Sequence, residues 1–515
     1  MIVIFHKNNK VLQVYDYSRN LELAICGNTI QEVLVLIAAQ NKLRFIGWCH
    51  DNLRESLNLT AWKIILKHEM ILVSFETSTN YYITSDIGYV EESPFVNVNK
   101  NNLYPTWLMS SDVGVIHASV LLKFKNLSKY KLTFEFFLNF LSKAGMKQGL
   151  LCYSNSALLK KEHPIIAKKE ISQIVLFQFI KSNYKFRWVF LYLFNQLVYK
   201  KKFLGGSLLL SIFKKKISTT ISLAAIQANN KEKKYSPTID VLIPTLGREK
   251  HLHNVLLDLS KQTIVPKKVI IVEQNEVEGA PSELDFLDDE WPFKINHTLI
   301  YQLGACNARN IALQKVTSEW VFFADDDVRF NPNLLEDAFK YIDFYKCEAI
   351  SLACLQKGEI EKTKFVIQSA VFGSGTSVVK SKSLNNIKFN MAYEFGYGED
   401  TDFGMQLRNT GIDILYIPFV SMLHLKATIG GFRKKIEQQW EQDYIQPKPS
   451  PTVMVYKLLH ATKEQLQSYR ITLFLKFYKS QSVKNPISYF KQMNMAWNKS
   501  RYWAEYLIKK HSNEI

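Results

Sequence analysis

Short apolar runs, each closed by turn-forming residues, recur through the middle of the chain. "TIDVLIPT" (238–245), "PKKVIIVEQN" (266–275) and "SEWVFFA" (318–324) have this form, which is that of strands buried on both faces. Between them, "HLHNVLLDLSKQ" (251–262) and "LGACNARNIALQKV" (303–316) carry apolar residues at helical spacing. Strand, helix, strand, helix, strand predicts an α/β domain with a mainly parallel sheet and crossover helices. The flanks differ. Residues 1–155 alternate shorter β-like runs ("MIVIF", "KLRFIGWC", "EMILVSFE") with helical ones. Residues 156–235 read as helices rich in aromatics and lysine, ending in "QANNKEKKYSPT", the best linker in the sequence. The expected division is an N-terminal α/β domain (1–155), a basic aromatic helical segment with linker (156–235), a central domain (236–430) and a helical extension (431–515).

In open sheets of this kind, ligands sit at the carboxyl ends of strands. Thr245 and Glu273 fall at such ends, and so does the triplet Asp325, Asp326 and Asp327 of "EWVFFADDDVRF". Three adjacent carboxylates repel one another. Either a cation belongs there, with the first and third side chains reaching it while the middle one points elsewhere, or the triplet is an acidic turn before "NPNLLEDAF". Mg²⁺ and Mn²⁺ favour such oxygen ligands.

A second acidic block, "FGYGEDTDFGMQLRNTG" (395–411), sets Glu399 and Asp400 at the mouth of a helix that Gly411 can end. A carboxylate there could serve as a general base if it reached a hydroxyl proton; otherwise these acids complement the helix dipole, the role expected of Asp402. Gly396 and Gly398 would let the chain turn tightly beside a ligand. Gly373–Thr376 would let a ligand approach the backbone, or form a plain turn. Arg309 in "CNARN" would pair with phosphate or make an ion pair inside the fold. His424 in "SMLHLKA" is a structural histidine unless the acidic site recruits it.

The blocks "IDVLIPTLGR", "KQTIVPKKVIIVEQN", "GACNARNIAL", "WVFFADDDVRF" and "GYGEDTDFGMQLRNTG" resemble, in order and near spacing, family-two inverting glycosyltransferases with the GT-A fold. The resemblance covers about 238–430. It implies that Thr245 and Glu273 hold the nucleotide base, although the family often has Asp where this chain has Glu273. It implies that Asp325 and Asp327 bind a divalent ion, Mg²⁺ or Mn²⁺, with His424 as a further metal ligand. By the same resemblance Asp326 faces the sugar or ribose and Asp400 is the base. The implied partners are a nucleotide-sugar donor and a glycan or lipid-linked acceptor, in a polysaccharide-building role at the cell envelope. A nucleotidyltransferase of related fold would not need the Glu-Asp helix; a non-catalytic sugar-binding scaffold would not need either acidic block.

Charge and cysteines narrow the setting. The formal net charge is +18, and between Lys161 and Lys234 there are 15 Lys and Arg against three Glu. That excess lies outside the segment with the motifs, and no recognisable nucleic-acid module appears, so nucleic acid is not an expected partner. "KKKFLGGSLLLSIFKKK" (200–216) suits an anionic membrane surface or a solvated face of packed helices. The greasiest stretch, 171–202, is interrupted by Lys181, Lys185 and Arg187, so no transmembrane helix is expected. "MIVIFHKNNK" is too short for a signal-peptide core. The six cysteines show no metal-ligand spacing and read as reduced thiols. The expected location is cytoplasmic, peripheral on the inner face of the cell membrane.

The first half carries a fainter pattern. "IAAQNKLRFIGWCHDNLRESLN" (37–58) runs loosely parallel to "IALQKVTSEWVFFADDDVRFNPN" (311–333), with Cys49, His50 and Asp51 where the three aspartates stand. "LMSSDVGVIHASVL" (108–121) likewise shadows "VFGSGTSVVKSKSL" (371–384), and "FEFFLNFLSKAGMKQGL" shadows the Glu-Asp helix without its acids. Two expectations follow: a degenerate copy of the GT-A sheet that lost its metal ligands, or an unrelated α/β domain.

Overall fold

A computed structural model describes residues 1–511 apart from Cys26, Asn28, Lys168, Thr220, Ala225, 227–236 and 428–435. The expected linker, 227–238, therefore lies almost wholly outside the described residues. The chain forms two compact units. The first holds residues 1–230 with 409–411 and 461–471, and the second holds 231–408, 412–460 and 472–515. The aromatic basic helices of 173–213 belong to the first unit, and the chain beyond 431 is shared between the two.

The first unit contains strands β1 (Ile2–Lys7), β2 (Lys10–Asp16), β3 (Leu21–Leu23), β4 (Phe45–His50), β5 (Ile71–Phe75), β6 (Tyr104–Pro105), β7 (Val113–His117) and β8 (Leu151–Ser154). Its helices are α1 (Ile30–Gln40), α2 (Leu59–Ile65), α3 (Ala118–Lys123), α4 (Phe134–Met146), α5 (Gln173–Asn183), α6 (Arg187–Lys200) and α7 (Gly205–Phe213). The strands form one sheet in the order β3-β2-β1-β4-β7-β5-β8-β6. β1 and β4 are parallel, as are β5 and β8, while β7 is antiparallel to both its neighbours. "IVIF" and "FIGWC" are buried almost end to end, as central strands covered on both faces must be. Asn8 and Asn9 both take positive φ between β1 and β2, the geometry of a tight two-residue hairpin.

The second unit contains β9 (Ile239–Leu246), β10 (Lys268–Gln274), β11 (Lys294–Ile300), β12 (Trp320–Ala324), β13 (Val328–Arg329), β14 (Ala349–Leu355), β15 (Ile367–Gln368), β16 (Thr376–Lys380) and β17 (Leu415–His424). The helices that follow are α8 (Glu249–Ser260), α9 (Ala305–Leu313), α10 (Leu334–Tyr345), α11 (Glu399–Asn409), α12 (Pro451–His460), α13 (Lys463–Tyr478), most of which belongs to the first unit up to Ile471, and α14 (Pro486–His511). The sheet runs β11-β10-β9-β12-β16-β14-β17-β13, with β15 paired to β17. β11, β10, β9 and β12 are mutually parallel; β16 is antiparallel to β12 and β14, and β14 is parallel to β17. This is a mixed sheet flanked by helices, with its first four strands all parallel. Its core is aromatic: Phe323, Phe372, Phe389 and Phe403 pack ring against ring beneath the strand ends.

Candidate active site

Three strand ends and one helix mouth converge in the second unit. β9 ends at Thr245 and Leu246; a turn through Gly247, at φ +59°, then brings Arg248 round to the start of α8. In the register of the parallel pair, Thr245 stands beside Glu273 of β10. The triplet follows the last residue of β12, Ala324.

The three aspartates face three ways. Asp326 turns inward. It accepts hydrogen bonds from Thr245 Oγ1 at 2.7 Å and from Arg248 Nη1 at 2.6 Å. Burial pushes its carboxyl up to about 6 against the opposing pull of Arg248 and Thr245. These two donors also offset part of the repulsion that Asp325 exerts on it. Asp326 is buried, as are Thr245 and Glu273. Asp327 is also buried. Its Oδ2 accepts from the Ala427 N–H at 2.9 Å, and its Oδ1 lies 3.4 Å from Nε2 of His424. The short strand β13 pairs Val328 with His424, which fixes that approach.

Asp325 is the exposed member, with 37% of its side chain accessible. Its Oδ1 accepts from Nη2 of Arg309 at 3.1 Å. A Cβ placed on Gly375 would lie 2.1 Å from Asp325 Oδ2, so the glycine at that turn makes room for this carboxylate. Ser374, one residue earlier, donates its N–H to Asp400 Oδ1 at 3.3 Å.

Arg309 rises from α9 into the acidic site. It is buried, and its Nε and Nη1 find no hydrogen-bond partner among the described residues. Burial disfavours its charge, but Asp325 and then Asp400 more than offset this and hold its pKa above the usual value. Asp400 is raised by burial and drawn back by Arg309. Glu399 beside it is pushed up to about 7, by burial first and by the charge of Asp400 second.

Several supporting groups escaped the sequence reading. Glu394 caps α9 by accepting from the Cys306 and Asn307 N–H groups at 3.1 and 2.8 Å. Asp402 does more than complement a helix dipole: its Oδ1 accepts from Tyr393 at 3.2 Å and lies 2.6 Å from Nε2 of His460. Gly396 and Gly398 give their space to Thr452 and Tyr393 rather than to an open pocket. Glu273 is occupied locally, accepting from Ser282 Oγ at 2.6 Å and contacting His297 Nε2 at 2.8 Å. Arg248 lies within the quoted "IDVLIPTLGR", but nothing local marks it as the partner of an acid 78 residues away.

Among the described residues, no group of three or more His, Cys, Asp or Glu side chains is arranged to hold a metal ion. The donor types nevertheless suit a hard divalent ion: an imidazole nitrogen beside a buried carboxylate, and a second, accessible carboxylate on the same turn. Arg248 and Arg309 sit at 3.4 and 3.1 Å from Asp327 and Asp325, so cationic charge already balances these acids.

Residues 240–397 match the glycosyl transferase family 2 profile. Poly(ribitol-phosphate) beta-N-acetylglucosaminyltransferase TarS of Staphylococcus aureus (strain MW2) is 26% identical over 113 residues, 21% of this chain and 20% of TarS. The chain thus spans about a fifth of that relative's length. The uncharacterized glycosyltransferase YwdF of Bacillus subtilis (strain 168) is 25% identical over 209 residues, covering 40% of this chain and 66% of YwdF. Among solved structures, S. aureus TarS 1-349 in complex with UDP-GlcNAc aligns with TM-score 0.37 and 14% identity over 54% of this chain and 92% of that one. The mannosyltransferase PcManGT from Pyrobaculum calidifontis, in complex with GDP-Man and Mn²⁺, aligns with TM-score 0.32 and 17% identity over 53% and 86%. The match to the glycosyl transferase family 2 profile falls wholly within the second unit.

Proposed function

We propose that this domain is a metal-dependent inverting glycosyltransferase, moving a sugar from a nucleotide-sugar to a hydroxyl of a cell-surface glycan or lipid-linked acceptor. The observation that carries the reading is Asp400, held by Ser374, at a helix mouth where it feels the charges of Arg309 and Asp325. Asp400 takes the proton of the acceptor hydroxyl as that oxygen attacks the anomeric carbon. The bond from that carbon to the phosphate oxygen breaks on the opposite face, so the configuration inverts. Arg309 opposes the effect of burial on Asp400 and so favours its basic, ionised form, and its Nε and Nη1 remain for a phosphate oxygen. Thr245 and Glu273, side by side at two strand ends, take the nucleotide base. Asp326 acts indirectly, fixing Thr245 and Arg248. Asp327 and His424, with Asp325, would hold Mg²⁺ or Mn²⁺, which when bound offsets the charge that grows on the leaving diphosphate.

The TarS name makes UDP-GlcNAc and a polyol-phosphate polymer the first donor and acceptor to try. The proposed setting is cytoplasmic and peripheral to the membrane; among the described residues no helix is long and apolar enough to cross one. Release of nucleotide diphosphate from a panel of UDP- and GDP-sugars, with Mn²⁺ and with chelator, tests the reading. No turnover of any donor with acceptor present, or turnover indifferent to metal, would sink it. For the first unit, the shared strand order without the metal ligands favours a second reading there: a degenerate, non-catalytic copy serving as a sugar-binding or scaffold part.

A further inference from the structure

Helix α6 in the first unit is inverted with respect to polarity. Its inward face buries Val189 and Tyr192, but also the amides Asn195 and Gln196. Gln196 donates to Asp86 at 2.8 Å and to the Tyr192 hydroxyl at 3.0 Å, and Asn195 donates to the Leu191 carbonyl at 2.8 Å. The outward face shows Phe186 at its cap, Phe190, Phe194 and Leu197, which are 58, 53, 47 and 45% exposed. Steps of four, four and three residues place these side chains on one stripe. Isolated exposed apolar residues need no explanation, but a contiguous stripe opposite buried amides does.

Helix α7 continues the theme. Leu209, Leu210, Ile212 and Phe213 are exposed, the last at 87%. This is not a frayed end. Lys181 of α5 donates to the carbonyls of Ser211 and Lys214, and Gln178 donates to that of Lys215 at 2.9 Å. The apolar residues are presented outward by a helix whose end is tied down.

Along the segment the charge has one sign, and of its basic residues Lys200 is paired with Asp86 and Glu464. From Lys185 to Lys216 there are eight Lys and Arg and no Asp or Glu. Lys185 and Arg187 flank the start of α6, Lys200, Lys201 and Lys202 its end, and Lys214, Lys215 and Lys216 follow α7. A second copy of the chain meeting this face symmetrically would bring both basic sets together, which like-charge repulsion opposes. An anionic bilayer answers both features at once, with acyl chains for the phenylalanine stripe and headgroup phosphates for the lysines.

We propose that α6 and α7 form an interfacial membrane-docking surface, in which Phe190 and Phe194 enter the acyl boundary of an anionic leaflet. This deepens the peripheral setting proposed above and rests on that setting alone, not on glycosyl transfer. The test is co-sedimentation of the full chain with phosphatidylcholine vesicles, with or without phosphatidylglycerol, at low and high salt. The wild type is expected to bind anionic vesicles, to bind neutral ones far less, and to retain part of its binding in high salt. A Phe190→Ser/Phe194→Ser variant should lose on the order of tenfold or more in partitioning. It should keep its melting temperature and its nucleotide-sugar hydrolysis, since both side chains already face solvent. Vesicle binding equal to wild type in that variant would overturn this face while leaving the peripheral setting intact. No wild-type binding to any vesicle would overturn both. A wild-type dimer that the double variant converts to monomer in sedimentation equilibrium would assign the stripe to a second copy and overturn the lipid proposal.

Discussion

In the first unit β1, β4, β7, β5 and β8 lie side by side; in the second β9, β12, β16, β14 and β17 do, and each successive pair runs in the same relative sense. The order along the chain is also the same. The two sheets differ in sense at the edge beyond their first strands, and among the described residues the second alone adds β13 at the other. Beyond β9 the second unit adds β10 and β11, both parallel. Beyond β1 the first unit adds β2 and β3 as an antiparallel meander through the Asn8-Asn9 hairpin. A parallel neighbour puts two carboxyl ends together, as at Thr245 and Glu273; an antiparallel one sends its carboxyl end to the far side. The place proposed for the nucleotide base therefore has no counterpart in the first unit, whatever residues stand there.

Strand pairing also sets residues in correspondence. Ala324 faces Thr376 and Cys49 faces Val113 as the last pairs of equivalent ladders. His50, Asp51 and Asn52 then stand where Asp325, Asp326 and Asp327 do, one residue along from the match expected of the sequence. Ser110–Asp112 stands where Gly373–Gly375 does. The helices α4 and α11 each carry an acid at their second residue, Glu135 and Asp400. Ser111 donates its hydroxyl to Glu135 at 3.0 Å, where Ser374 donates its N–H to Asp400. The first unit thus keeps one acid of the proposed chemistry while lacking the acid cluster and the parallel edge.

The largest expected effect follows from that pair. Asp400→Asn should lower turnover by a factor on the order of 10² to 10⁴ while donor binding persists, because a base touches the acceptor. Glu135→Gln should leave turnover unchanged. Steady-state kinetics on both variants decides it, and equal losses would erase the proposed division of labour.

Next comes a proton-linked difference, since Glu399 has Phe134 as its counterpart. The folded-state pKa of Glu399, about 7, lies above its ordinary 4.5, so the folded chain holds this proton more tightly. Its contribution to stability is fully present below about 4.5 and is lost as pH rises through 7. The loss is about 3 kcal/mol at most. Glu399→Gln should flatten the denaturation midpoint across that window. A variant with the wild-type slope would show that the proton sits elsewhere.

How much of this could be read from the residues depended on whether the signal was local. β9, β10 and β12 are buried on both faces and gave continuous apolar runs. β11, "KINHTLI", is a half-buried edge strand with too little pattern to be noticed. The acids of the triplet were visible, but not their directions, because Thr245, Arg248, Arg309 and His424 reach them from distant elements. Glu135 was passed over among phenylalanines; only the pairing of β7 with β4 locates it. In α6 apolar residues occur all round the helix, so composition announced an aromatic helix without telling which face was buried.

A smaller effect probes the proposed metal ligands. Asp327→Asn should weaken Mn²⁺-dependent donor binding by about 10- to 100-fold, since one anionic ligand is withdrawn from a site with few. Titration calorimetry with donor, with and without Mn²⁺, measures it. Affinity unchanged in the presence of Mn²⁺ would rule out Asp327 as a ligand, and the second unit would then owe its donor site to the parallel edge alone.

The smallest effect is expected at Asp51, the carboxylate that the first unit retains beside the strand end. Its side chain is 35% exposed and lies 2.9 Å from Arg54, three residues on. Arg54 does not depend on it. The same guanidinium donates to Gln13 at 2.5 Å and lies over the ring of Phe5 at 4.1 Å. Removing the charge with Asp51→Asn therefore leaves the arginine anchored and forfeits only a screened surface pair, under about 1 kcal/mol. Turnover and Mn²⁺ dependence should be those of the wild type, because a lone half-exposed acid beside Cys49 and His50 is a poor site for a hard cation. Denaturation and the donor assay, run on the same preparation, read both quantities. A loss of Mn²⁺-dependent turnover with stability intact would mean that the first sheet still takes part in the chemistry, and the reading of it as a non-catalytic copy would have to be abandoned.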